Sequence, residues 1–91
     1  MTAPPRYRRS ASTRFRRVFE EGLLLDQELA RLHVLNPAAA FLWELLAEPR
    51  TAEELLGAML EAFDVDAATA RRDLQEFLRE ATAAGLLEIQ D

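Results

Sequence analysis

The sequence predicts a small α+β domain, winged-helix-like, with a three-stranded antiparallel sheet followed by three helices. Three observations carry that expectation. Up to Leu35 the apolar residues come in short runs or alternate with period two, the mark of strands. At Asn36 the period changes, and three amphipathic segments with helix caps follow. The chain has 91 residues and no Cys, so one thin apolar core must hold the fold without disulfides or thiolate metal sites.

Residues 1–13 read as a basic disordered arm, because Pro4, Pro5, Ser10 and Ser12 supply no apolar period. Residues 14–91 read as the folded domain. The first strand begins near Phe15 and runs to Val18 or Phe19, with a break at Glu20-Glu21-Gly22 where Gly offers a turn conformation. Leu23-Leu24-Leu25 is the second strand, closed by Asp26 and Gln27-Glu28. The third runs from Leu29 to Leu35 and alternates, with Leu29, Arg31, His33 and Leu35 on one parity and Leu32 and Val34 on the other.

Asn36-Pro37 starts the first helix: Asn caps the first turn, and Pro there lacks only an N–H that had no partner. Ala38, Phe41, Leu42, Leu45 and Leu46 give it one apolar stripe, and Trp43 falls beside that stripe as a packing unit. Thr51-Ala-Glu-Glu54 is a capping box for a second helix, with Leu55, Leu56, Met59 and Phe63 behind it. Asp66 caps a third helix, which carries Ala70, Leu74, Phe77, Leu78 and Ala81 and stops at Gly85. Leu86, Leu87 and Ile89 fold back as an apolar tail.

Charge is divided along the chain. Six of the eleven Arg precede Val18; from there on, five Arg face all sixteen acids, a balance of −11. An acidic body disfavours a nucleic-acid partner, since phosphate binding needs a positive face. Arg71, Arg72 and Arg79 on the third helix are interleaved with Asp73, Glu76 and Glu80 and read as spaced surface pairs. No apolar run reaches the roughly 20 residues of a membrane span, and the basic start lacks the apolar core of a signal peptide, so a cytoplasmic location is expected.

Catalysis has little to work with. One His and no Cys exclude a two-imidazole metal site and a cysteine nucleophile, and the acid pairs sit at turns and helix starts that explain them. No Gly-rich phosphate loop exists, and no cofactor is expected.

In order, the strand running into LHVLNPAAAFLWELL (Leu32–Leu46), then RTAEELLGAML (Arg50–Leu60) and AFDVDAATARRDLQEFLREATAAGLL (Ala62–Leu87) resemble the PqqD family. These are small recognition domains for the precursors of ribosomally made, post-translationally modified peptides. The resemblance implies a non-catalytic domain that holds the precursor's leader as a strand added to the sheet edge, for a separate modifying enzyme or leader peptidase. Backbone pairing would supply affinity and side-chain pockets selectivity. Carried onto this chain, the edge is Leu29, Arg31, Leu32, His33, Val34 and Leu35, with Arg31 and His33 beside the peptide backbone. The helix wall is Arg71, Leu74, Gln75 and Leu78, with Leu74 and Leu78 as apolar floor and Arg71 facing an acidic leader residue. The alternative for Leu74 and Leu78 is plain core. Two other readings of the chain remain beside this one: an acidic winged-helix DNA-binding or regulatory assembly domain, and a homodimer that pairs through the open edge.

Overall fold

Residues 3–90 are described by a computed structural model. Their elements are β1 (Arg6–Arg9), β2 (Thr13–Val18), β3 (Glu21–Asp26), β4 (Arg31–Leu35), α1 (Pro37–Leu45), β5 (Arg50–Thr51), α2 (Ala52–Ala62), α3 (Ala67–Ala83) and β6 (Leu87–Gln90). The class is α+β, as expected, but the order is not simply three strands then three helices. The strands form two antiparallel three-stranded sheets, β2-β3-β4 and β5-β1-β6.

The meander β2-β3-β4 is the sheet foreseen from the period-two pattern. Its register sets Phe15, Leu24 and His33 in one row and Arg17, Gly22 and Leu35 in the next. Alternation therefore sends Phe15, Leu24, His33 and Leu35 toward the helices. The first turn falls at Phe19-Glu20 rather than around Gly22; Phe19 takes φ 58 and is 95% exposed. Gly22 lies within β3, where a Cβ would stand 2.5 Å from Phe15 Cε1 and 3.2 Å from Ala40 Cβ. Its missing side chain is space for the Phe15 ring, not freedom for a turn. At the second turn the buried Asp26 carboxylate accepts the N–H groups of Glu28 and Leu29, and Ala30 takes φ 53. Leu29, expected in the strand, is thus held in the turn, and β4 begins at Arg31.

The helix caps follow the sequence. Asn36 accepts the Ala39 N–H with Pro37 next to it, Thr51 and Glu54 complete the capping box, and Asp66 accepts the Thr69 N–H. Gly85 closes α3 at φ 77. The core is built from Leu24, Leu42, Trp43, Leu46, Leu55, Met59, Leu74 and Leu78, with Trp43 its largest fully buried side chain.

The disordered arm expected over residues 1–13 is not what the structure contains, although Met1 and Thr2 lie outside the described residues. Arg6–Arg9 is the middle strand of the smaller sheet, paired with Arg50–Thr51 on one side and Leu87–Gln90 on the other. Three Arg in four residues conceal its alternation. Tyr7 packs on the core, and the Arg9 guanidinium lies 5.1 Å from the centre of the Trp43 ring while donating to the Trp43 carbonyl. Arg6 and Arg8 turn outward to Glu54 and Glu88. The apolar tail is correspondingly a strand, β6.

Candidate functional site

Strand order leaves β4 paired with β3 on one side only, so the other side of Arg31–Leu35 offers unmatched N–H and C=O groups. The strand is short and ends directly in the Asn36 cap, which fixes its position against α1. Beside it, α3 runs in the opposite direction. Residues Asp73, Glu76 and Phe77 lie near Leu35 and Asn36, whereas Ala81 and Ala84 lie near Leu32 and His33.

Two cavities occupy the trough between them. One, of about 320 Å³, is bounded by Val34, Leu35, Ala38, Asp73, Glu76, Phe77 and Glu80. The other, of about 380 Å³, is bounded by Leu24, His33, Trp43, Phe77, Glu80, Ala81, Ala84 and Leu86. The first end is acidic and the second largely apolar. In the apolar end, His33 Nε2 and Trp43 Nε1 are both buried without a hydrogen-bond partner. Buried polar groups are seldom left unpaired, and both of these lie on residues that line the apolar cavity.

The expected site residues divide between two sides of the molecule. Leu32, His33, Val34 and Leu35 line the trough together. Arg31 is at the start of the same open edge, and Leu29 precedes it in the turn. The helix residues Arg71, Leu74, Gln75 and Leu78 do not border either cavity. Leu74 and Leu78 are core, 2% and 5% exposed. Gln75 and Leu78 border a third hollow on the opposite side, with Tyr7 and Ile89, and Arg71 pairs with Glu53 of α2. The wall beside β4 is instead Asp73, Glu76, Phe77, Glu80, Ala81 and Ala84. Steps of three and four residues join these positions, so they form one strip of α3 between its buried and solvated faces. That strip was the missed signal: its acids read as solvated and its Phe as core.

Charge along the wall is nearly uncompensated. Asp73 lies 3.5 Å from Arg72 of its own helix. Neither Glu76 nor Glu80 takes part in an ion pair among the described residues. The acids with lowered pKa lie elsewhere. Hydrogen bonding from Arg17 lowers Glu44, while backbone N–H groups at the caps lower Glu54 and Asp66. Those three are structural. Among the described residues there is no cluster of metal-ligating side chains and no helix long and apolar enough to cross a membrane.

The outer face of the same sheet is unusual. Antiparallel sheets commonly set polar residues on the face turned to water. Here the register gives the rows Arg14, Leu25, Leu32 and Arg16, Leu23, Val34, with Val18 beyond. Leu32 and Val34 are 62% and 66% exposed. The result is an aliphatic patch flanked on the β2 side by two arginines.

Known proteins resemble the chain in sequence and in fold. Residues 21–87 match the family of coenzyme PQQ synthesis protein D (PqqD). A solved structure of TbiB1 in complex with the TbiA(beta) leader peptide is 30% identical, with a TM-score of 0.81 over 89% of this chain and 94% of that chain. A lasso peptide synthetase B1 complexed with its leader peptide is 17% identical and shares the fold, with a TM-score of 0.75 over 90% and 96% of the two chains. No curated protein sequence matches the chain. Strands β3 and β4, all three helices and the trough between β4 and α3 lie within the matched span, and the chain belongs to the PqqD family.

Proposed function

We propose that the chain binds the leader segment of a ribosomally made precursor peptide as a fourth strand on β4, and presents it to a separate modifying enzyme or leader peptidase. The observation that carries this reading is the unpaired β4 edge facing a trough with two cavities. Strand addition completes the edge through the backbone, and alternate side chains of the added strand then point into the trough. The solved relatives, both determined with leader peptides, support the same assignment. In this reading the role is non-catalytic; no helix among the described residues is long and apolar enough to cross a membrane.

The outer face suits the delivery step. A peptide added at β4 leaves Leu23 and Leu25 of the outer face uncovered, so an enzyme with an apolar, acid-rimmed surface can seat there while the peptide stays in place. A second copy fits poorly. Stacked face to face, two sheets would set Arg14 and Arg16 over their own images or over the partner's aliphatic patch, leaving guanidinium groups without carboxylates.

The test is titration of the domain with the leader of the genomically neighbouring precursor, using Leu32→Pro and His33→Pro. Adjacent strand residues direct N–H groups to opposite sides, so one proline breaks the β3–β4 ladder and the other obstructs only the free edge. One variant should stay folded by circular dichroism and lose binding at least tenfold. Unchanged affinity in a folded variant would falsify strand addition.

A further inference from the structure

We infer that Glu76 and Glu80 select the bound peptide by charge, so that it carries Lys or Arg at alternate positions beside its apolar anchor. This rests on the strand-addition reading above and specifies the ligand class of that site. The wall of the trough presents Asp73, Glu76 and Glu80 on one strip of α3, next to the inward side of β4. Asp73 has Arg72 as a neighbour, whereas Glu76 and Glu80 have no cation within ion-pair distance among the described residues.

The spacing fits an extended chain. Four helical residues rise about 6 Å, and alternate residues of a strand are about 6.6–6.8 Å apart. A peptide lying along β4 therefore brings successive inward side chains past Glu76 and Glu80 almost in step. Because α3 and β4 run in opposite directions, Asp73 and Glu76 stand at the Leu35 end, Glu80 borders both cavities, and the apolar lining of Ala81 and Ala84 lies at the Leu32 end. The side chain entering the apolar end is thus followed, toward Asn36, by one or two inward positions that meet carboxylates.

The remainder of the surface supports placing selection here. The arginines facing the outside of the sheet, Arg14 and Arg16, lie on the far strand and on the opposite face. Arg71, once the candidate for contacting an acidic leader residue, is engaged with Glu53 across α2. Arg31 stands at the far end of the open edge and borders neither cavity, so the trough itself is cation-accepting, the reverse of what an arginine wall would select. Long Lys and Arg stems also lie well on Phe77 and Ala38, with their heads reaching the carboxylates.

An mRNA-display selection of random 20-residue peptides against the folded domain tests the inference. Wild type should enrich Lys or Arg at one or two positions spaced by two residues, at fixed distance from an apolar position. On Glu76→Lys/Glu80→Lys, both exposed on a helix surface, the same positions should turn to Asp or Glu while the apolar position persists. A winning wild-type peptide should lose about fivefold to twentyfold in affinity on Glu76→Gln/Glu80→Gln, each exposed pair accounting for a few-fold. It should also weaken between 0.05 and 0.5 M NaCl, as roughly expected for screened charges. Enriched peptides with an apolar pattern and no charge preference would overturn the inference and leave strand addition standing. Failure to enrich any peptide, or binding unaffected by both β4 prolines, would instead remove the strand-addition reading and this inference with it.

Discussion

Single residues set the ends of the helices, and their ionisation ties the fold to pH. Asp66 is lowered mainly by the Thr69 N–H that it accepts as helix cap, Glu54 by the Thr51 N–H, and Glu44 by Arg17. A carboxylate with a lowered folded-state pKa stabilises the protein above its unfolded value, about 3.9 for Asp and 4.3 for Glu. That contribution is lost as pH falls through the lower folded value. Thermal stability should accordingly be flat from roughly pH 8 to pH 5 and decline below about pH 4. Asp66→Asn keeps an accepting cap without the charge, so it should match wild type at pH 7 and show a shallower acid decline. An acid limb identical to wild type would assign the decline to other carboxylates. These caps were plain in the sequence because each depends on neighbours three residues apart.

At the scale of elements, local patterns were legible and distant pairings were not. The meander, three helices and the Asn36 start of α1 all follow from period and caps within a few residues. The strand β1 depends on partners at Arg50–Thr51 and Leu87–Gln90, far away in sequence, and its inward residues are one Tyr and one Arg. No local hydrophobic period announces such a strand. Which residues face the trough was half legible for a related reason. The open edge of β4 follows from strand order, but which strip of α3 faces it depends on a rotation of that helix about its axis. A turn of the helix by one residue exchanges Leu74 and Leu78 for Asp73 and Phe77. The same dependence makes β1 more than an ornament. Arg9 bonds the Trp43 carbonyl and Tyr7 packs on the core, each contributing about 1.5–3 kcal/mol. Against a total of about 5–13 kcal/mol for a chain of this size, deleting residues 1–9 should lower stability by roughly 3–6 kcal/mol. Urea denaturation would measure it, and a loss below about 1 kcal/mol would mean that β1 only rests on the surface.

Considered whole, the molecule separates its tasks by face. The inner side of the meander is core, its β4 edge and trough are assigned to the peptide, and its outer side carries the aliphatic patch with Arg14 and Arg16. Independence of these surfaces is measurable. Leu25→Ser/Arg16→Glu should leave leader affinity within about twofold, because neither residue borders the trough. The same variant should reduce capture of the neighbouring modifying enzyme by at least tenfold in a binding assay at fixed leader concentration. Equal losses of both affinities would indicate a deformed sheet, and intact enzyme capture would exclude the outer face as its seat. The acidic balance that disfavours nucleic acid also acquires a location, since part of it lines the trough on Glu76 and Glu80.

The smaller sheet has a further consequence, one of time rather than place. Its central strand is made first and the neighbour that pairs with all four of its residues is made last, Arg6 standing opposite Gln90. During synthesis the meander and helices can assemble from contacts close in sequence, while β1, free to pair with Arg50–Thr51, lacks its longer neighbour until residue 90 emerges. Contacts of such long separation are slow to close, and a sheet closed last is a natural place for local opening. Hydrogen exchange at the amides of β1 and β6 should therefore be faster than at β3. The domain's final folding event would then be the closing of β6 on β1, made after the β4 edge and the trough are already in place.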